Sequence, residues 1–329
     1  MQFFTSAIIL ILASTTLAKT ILLTNDDGWA ATNIRATYYK LLEAGHDVYL
    51  VAPVSQRSGW GGKFDLPGLP TLETDGGFNY PCSGAPSWGH EVDDDHIWYF
   101  NGTPASCVAF SASYLLPNRF NNSNKIDLVV SGPNEGQNLS PGLFTISGTL
   151  GATYNSVYRD LPAIAFSGAN TNNSFYQDDL DLNDGMEPST IYANKITEMV
   201  VQLFETQGDN ERALPVGVGL NVNFPAVGYQ NETCTNPKWV RTRLTGEASA
   251  GPDIEYDAIS GLFVWVYSTY SSAAAFQTCQ VGDCTLPSES WVVGFLDCSA
   301  SVSVFSIDYD ATTSLGQEAA NLIAPLFEN

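Results

Sequence analysis

Positive charge is scarce in this chain. Thirteen Lys and Arg stand against 35 Asp and Glu, a formal net charge of −22 over 329 residues. Such a field opposes binding to nucleic-acid duplexes and to anionic membrane surfaces. An anionic substrate would therefore need a locally positive site. Long apolar runs are also missing: after residue 18 no segment is long and apolar enough to span a bilayer. There is no G-x-S-x-G for an α/β-hydrolase triad and no phosphate-binding P-loop. No internal repeat or low-complexity tract breaks the chain. What is present, 44% hydrophobic residues and only 15% charged, suffices for a large core.

Residues 1–18 read as an export signal. Phe3 to Ala13 is mostly apolar, and Thr16-Leu17-Ala18 places small residues at the cleavage positions, although a basic start is lacking. The expected mature chain begins near Lys19 and is secreted. Its six cysteines, an even number, fit an oxidising compartment. Cys279 and Cys284 are close enough to bridge locally, whereas the pairing of Cys82, Cys234 and Cys298 stays open. Cys107 falls in an apolar helical pattern and reads as a buried thiol. Sequons at Asn121, Asn172 and Asn231 predict glycosylated surface loops. Those at Asn101 and Asn138 are followed directly by proline, which weighs against modification.

The first half alternates strands and helices. Ile21-Leu22-Leu23-Thr24 reads as a buried strand, and Ile34, Tyr38, Leu41 and Leu42 lie at helical spacing before Gly45. Strands are expected at 47–52, 97–100, 126–130 and 163–166, with helices from Pro104 and over 149–159. Residues 59–96, rich in Gly, Pro and Asp, read as a long loop. This pattern predicts a mainly parallel sheet with helices on both faces. Further on, 190–204 reads as helix and 216–224 as strand, and the region after Trp239 reads mostly as β.

The sharpest chemical signal is Asp26-Asp27, in the loop Asn25-Asp26-Asp27-Gly28 that leaves the first strand. Ligands of open α/β sheets bind at the carboxyl ends of strands. Two adjacent carboxylates there repel each other unless a cation intervenes. The same four residues are also an ordinary turn sequence. Two more loops leave predicted strands at the same sheet edge: Ser55-Gln56-Arg57-Ser58-Gly59 and Ser131 to Asn138. Together they would converge two carboxylates, a hydroxyl and an amide oxygen, a set suited to Mg²⁺, Mn²⁺ or Ca²⁺. Ser147-Gly148-Thr149 opens a predicted helix. Such a helix start favours phosphate, and it also reads as a plain helix cap.

In this order and spacing, the segments resemble the SurE family of metal-dependent phosphatases and nucleotidases. The matching stretches are ILLTNDDG at 21–28, AGHDVYLVAP at 44–53, the Ser-Gly pair at 58–59 and GTPASCV at 102–108. They continue with DLVVSGPNEGQN at 127–138, SGTLGA at 147–152, LPAIAFSG at 161–168 and LNVNFP at 220–225. The resemblance implies a three-layer α/β/α, Rossmann-like fold. One SurE-like domain would span 19–329, with an α/β core to about residue 225 and a β-rich C-terminal extension over 226–329. It implies metal ligation by Asp26, Asp27, Ser58 and Asn134, with Asp26 and Asp27 as the catalytic pair. Asn25, Asn138, Ser147, Gly148 and Thr149 match the surrounding substrate pocket. The implied cofactor is a divalent cation such as Mg²⁺ or Mn²⁺. The implied reaction is hydrolysis of a small phosphate monoester or nucleotide, of the acid phosphatase or 5′/3′-nucleotidase type. A homodimer is implied as well. Departures are Pro133 at a usual aliphatic position, Asn33 near a usual glycine, and the length of 59–96.

The rival reading is a non-catalytic secreted metal- or carbohydrate-binding protein on the same scaffold. Retention of all four ligand types speaks against it. Three histidines are too few for a purple-acid-phosphatase cluster, and the motifs of the histidine and haloacid-dehalogenase phosphatases are absent. Asp93-Asp94-Asp95-His96 reads as a solvated acidic loop. The stretch 179–190 imitates an EF-hand but misplaces its glycine and lacks the final Glu. His46 reads as structural, and Arg57 as a solvated loop residue.

Overall fold

Thr20–Thr24 forms β1, wholly buried in the middle of the sheet. The computed structural model describes residues 18–120, 125–268 and 275–323. Almost all of the expected export signal and the sequon at Asn121 lie outside these residues. After β1 come α1 (Thr32–Glu43), β2 (Asp47–Pro53), β3 (Trp88–His90), β4 (Ile97–Phe100) and α2 (Pro104–Phe110). A π-helical stretch, Ser111–Leu115, joins α2 to α3 (Leu116–Arg119). Next are β5 (Leu128–Glu135), α4 (Ser140–Ile146), α5 (Gly148–Tyr158), β6 (Ala163–Gly168), α6 (Tyr176–Asp179) and α7 (Pro188–Gln207). The rest is β7 (Val218–Asn223), β8 (Lys238–Thr242), β9 (Gly251–Asp257), β10 (Leu262–Ser268), α8 (Glu289–Phe295), β11 (Ser299–Ser306) and α9 (Thr313–Leu322).

Among the described residues nine strands form one sheet in the order β3-β4-β2-β1-β5-β6-β7-β11-β8. The pairings are parallel except β3 on β4 and β11 on β7. From β1 the chain steps outward to β2 and β4, then returns to lay β5 on the other side of β1. The strand order reverses between β1 and β5, and that is where an open α/β sheet builds its ligand crevice.

Side-chain alternation along β1 explains the layers. Ile21 and Leu23 join a core on one face with Ile34 and Tyr38 of α1 and Ile196 and Val200 of α7. Leu22 joins the opposite core with Val108 of α2 and Leu150 and Val157 of α5. The expected mainly parallel sheet with helices on both faces is therefore present. Thr103 caps α2 through a reciprocal capping box with Ser106, ahead of Pro104, as the local sequence predicts.

Three regions differ from the sequence reading. The 59–96 segment is not all loop: β3 adds an antiparallel edge strand to β4. β5 does not stop at Val130 but continues to Glu135 across a register irregularity between Ser131 and Asn134. Gly132 permits this, with φ +112° and a position where a Cβ would lie 2.2 Å from the Phe166 carbonyl oxygen. The region after Trp239 includes α8 and α9 as well as strands. There β9 and β10 form a separate hairpin, whereas β8 and β11 extend the central sheet. Two disulfides are formed, Cys279–Cys284 and Cys234–Cys298, and Cys107 is a buried free thiol.

Candidate active site

The β1–α1 loop is closed by Asn25. Its side chain accepts from Gly28 N–H and donates to the Gly28 carbonyl, both at 3.2 Å. Asn25 thus shapes the turn from inside and presents the two following aspartates to the crevice. Asp26 and Asp27 are each only 2% exposed.

Asp26 faces the start of α5. Its Oδ1 accepts the Thr149 hydroxyl at 2.5 Å, and backbone amides of Gly148 and Thr149 add to its hold. The positive end of a helix favours an anion at this place. Gly148 makes the approach possible: a Cβ there would lie 2.8 Å from Asp26 Cβ. Ser147 caps α5 through the Leu150 amide at 3.3 Å. The amides expected to face phosphate are therefore turned largely toward Asp26 and Ser147.

Asp27 faces β5. Its Oδ2 accepts the Glu135 amide at 2.9 Å, and its carbonyl accepts from Asn173. Its Oδ1 is buried with no hydrogen-bond partner. Asn134, brought round by the β5 irregularity, points its own Oδ1 to within 3.2 Å of the Thr149 hydroxyl. Its amide nitrogen is tied to the Glu135 and Gly136 carbonyls, which fixes the oxygen toward the crevice.

The structure therefore gathers Asp26, Asp27, Asn134, Gly148 and Thr149 at one point. Ser58 is exposed, and no hydrogen bond among the described residues ties its hydroxyl to the aspartates. Its loop does reach them, because the Arg57 amide donates to the Asp26 carbonyl at 2.6 Å. The Arg57 side chain is not a free cation. It is bonded to Ser55, Asn101 and the carbonyls of Gln56 and Gly102. Asn138 is buried one step behind, donating to Ser167 Oγ at 2.8 Å.

Burial pushes the Asp26 carboxyl up. Burial, then the charges of Asp26 and Glu135, push Asp27 well above the usual carboxylate range. Glu135, which the sequence reading left without a role, is raised to about 8 by burial and by Asp26. None of the three carboxylates forms an ion pair with a Lys or Arg among the described residues. Clustered acid oxygens, a buried orphan at Asp27 and a neutral amide oxygen make a donor set that fits a hard divalent cation. Sequence could show the Glu135 side chain but not that β5 carries it beside the pair.

The Survival protein SurE family model matches residues 21–248. The chain belongs to the SurE family. An acid phosphatase of Yarrowia lipolytica is 44% identical, covering 94% of this chain and 85% of that protein. A 5′-nucleotidase SurE of Desulfovibrio desulfuricans is 38% identical over 45% of this chain and 49% of that protein, about half its length. The crystal structure of the SurE protein from Aquifex aeolicus shares the fold. Its TM-score is 0.59 at 23% identity, over 92% of this chain and 99% of that one.

Within the SurE scaffold the 59–96 segment is stitched to the site wall. The Gly61 amide donates to the Ile146 carbonyl at 2.8 Å, and the Asp65 amide to Thr103 Oγ. Farther out, Asp94, Asp95 and His96 bring ligand atoms near one another on the surface, as a solvated acidic loop does. The His46 ring packs on Phe204 and its two nitrogens have no hydrogen-bond partner, in keeping with a structural role.

Proposed function

We propose that this protein is a secreted, metal-dependent phosphoric monoester hydrolase of the acid phosphatase type. The observation that carries the reading is the buried, unpartnered Asp27 Oδ1 beside Asp26 and Asn134, at the point where the strand order reverses. Asp26, Asp27 and Asn134 hold the cation, with Ser58 on the adjoining loop as the fourth ligand. When bound, the cation polarises the phosphoryl group and makes a water more acidic.

The chain's own residues do the rest. Thr149 and the α5 amides aim Asp26 and favour its ionised form against the burial that pushes its carboxyl up. The Glu135 amide does the same for Asp27. Asn25 keeps the two carboxylates side by side, and Asn138, Ser147 and Gly148 frame the space for a phosphate ester. A carboxylate oxygen of Asp26 or Asp27 would accept the proton of an attacking water. Substrates are small phosphate esters, nucleotides among them. The similarity to the Yarrowia acid phosphatase, which covers 94% of this chain, supports general monoesters over a nucleotide-only substrate range.

Export through residues 1–18, glycosylation at Asn121, Asn172 and Asn231, and a homodimer belong to the same proposal. Two disulfides and the lack, among the described residues, of any helix long and apolar enough to cross a membrane are compatible with export.

The test is p-nitrophenyl phosphate turnover by the purified protein with EDTA and with added Mg²⁺, Mn²⁺ or Co²⁺, beside Asp26→Asn and Asp27→Asn. Metal-dependent turnover lost in both folded variants is the expected result. Absence of turnover with every metal, or equal turnover in the variants, would refute the reading and favour a binding protein.

A further inference from the structure

Glu289 opens α8, about 150 residues after the Asn134 motif, and is fully buried. A carboxylate is among the costliest groups to bury, and no Lys or Arg among the described residues pairs with it. Three donors surround it instead. The Ser140 amide donates to Oε1 at 2.6 Å, while Asn221 Nδ2 at 3.1 Å and Ser303 Oγ at 2.9 Å donate to Oε2. Ser140 sits at φ +65°, a backbone region that non-glycine residues seldom adopt, so this amide is held in an unfavourable place.

The grip extends along the chain. Asn221 Nδ2 also donates to the Asn138 carbonyl at 3.0 Å, and Asn223 Oδ1 accepts the Asn138 amide at 2.7 Å. Gln137 reaches the Phe224 carbonyl at 2.7 Å. Residues 137–140 are thus clamped from β7 and from Glu289. On one side the clamped segment continues into Asn134. On the other it runs through α4 into Gly148 and Thr149. Both ends lie in the cation pocket, so the clamp fixes the middle of the only covalent path between them.

A well-packed apolar side chain would fill this space without burying a polar group, and replacing buried polar or ionic groups in this way is often neutral or stabilising. What an apolar residue cannot do is hold an amide at a strained position. We infer that Glu289 is a positioning residue of the active site: through Ser140 and Asn221 it holds the 137–140 segment so that Asn134, Asn138 and Thr149 keep their places. Its catalytic consequence rests on the phosphohydrolase reading; its effect on the segment does not.

The experiment compares wild type, Glu289→Ala, Glu289→Gln and Ser303→Ala as full-length proteins. Amide hydrogen exchange is followed by mass spectrometry, Mn²⁺ binding by calorimetry without substrate, and p-nitrophenyl phosphate turnover by KM and kcat. In Glu289→Ala, exchange in 134–149 is expected to rise about tenfold above the change elsewhere, with Mn²⁺ affinity about tenfold weaker and KM raised. Glu289→Gln keeps an acceptor for the Ser140 amide and retains most of both. Where Glu289→Ala does not fold, Ser303→Ala, which removes one donor outside the site, and Glu289→Gln carry the test with smaller changes in the same direction. A lower melting temperature with unchanged exchange in 134–149, unchanged Mn²⁺ affinity and unchanged KM would overturn the inference and leave Glu289 a core residue. If wild type hydrolyses no phosphate ester, the functional reading fails, while exchange and Mn²⁺ binding still decide the clamp.

Discussion

The Thr149 hydroxyl lies 2.5 Å from Asp26 Oδ1, joining residues 123 positions apart. The same hydroxyl is 3.2 Å from Asn134 Oδ1, yet it has a single proton to give. It therefore orients one proposed cation ligand while standing against another. Thr149→Val keeps the shape and removes the proton. Cation affinity is expected to fall about tenfold, the lower end of the usual loss when the partner of a metal ligand is removed. Calorimetric titration with Mn²⁺ measures it; unchanged affinity would remove Thr149 from the site's support.

Asp27→Asn separates stability from activity. The buried Asp27 charge faces Asp26 and Glu135 with no cation from the chain to offset them. The amide relieves that repulsion, so in EDTA the variant is expected to be more stable than wild type by about 1 kcal/mol or more. Addition of Mn²⁺ should stabilise wild type and leave the variant unmoved. Turnover should fall at least about a hundredfold. Melting curves with and without metal give the first two, and steady-state assays the third.

Gly148→Ala tests the approach of Asp26 to α5. The added methyl would lie 2.8 Å from Asp26 Cβ and 2.9 Å from its Oδ2, too close to stay. Displacing the carboxylate by even about 1 Å is expected to cost about a hundredfold in turnover. Stability should fall by only about 1–3 kcal/mol, the usual cost of overpacking. Kinetics beside a melting curve distinguish this from simple unfolding.

The acid limb of the stability profile should carry a signature of His46. Burial holds its imidazole below the ordinary value, and both ring nitrogens lack partners. The unfolded chain therefore takes up the proton first. Its contribution to stability is complete above about pH 6.5 and is lost as pH falls from there through the lower folded value. His46→Leu should flatten this part of the curve, as measured by denaturant unfolding at successive pH values.

On the other limb, burial raises the Glu289 carboxyl to about 8. Here the folded state keeps the proton that the unfolded chain gives up near pH 4.5, the ordinary value for this side chain. Stability from this group is complete below that value. It declines by about 1.4 kcal/mol per pH unit as pH rises toward the folded value. Glu289→Gln should lessen the decline between about pH 5 and 8. A wild-type curve that rises with pH across this window, with no difference from the variant, would contradict it.

The parallel core was legible because its strands announce themselves. Ile21-Leu22-Leu23 and Leu128-Val129-Val130 are buried on both faces and read as apolar runs closed by turn residues. The Asp pair stood out because two adjacent carboxylates at a strand end repel each other, although Asn25-Asp26-Asp27-Gly28 alone also reads as a turn. The position of Asn134 on a strand was not. Its conformation depends on Gly132 passing within contact of Phe166, a neighbour far along the chain. The C-terminal strands were seen as β but not as sheet partners of β7, because alternation reports a strand's faces and not its neighbours. Ser58 stands on an exposed turn that local sequence places only through its neighbour Arg57. Glu289 gave no signal at all: a lone acid opening a helix looks like an ordinary surface residue until tertiary packing buries it.

Strand order has one further consequence, for the order of events during synthesis. β8 lies at the sheet edge, and its one neighbour there is β11, which follows it by more than 50 residues. β11 in turn is what joins β8 to β7. As the chain emerges, β8 is therefore an open edge until β11 has been made and inserted between two older strands. Waiting edges of this kind are where partly folded chains find wrong partners. The site-bearing strands β1, β5 and β6 can assemble before that moment; the C-terminal rim that supplies Glu289 cannot.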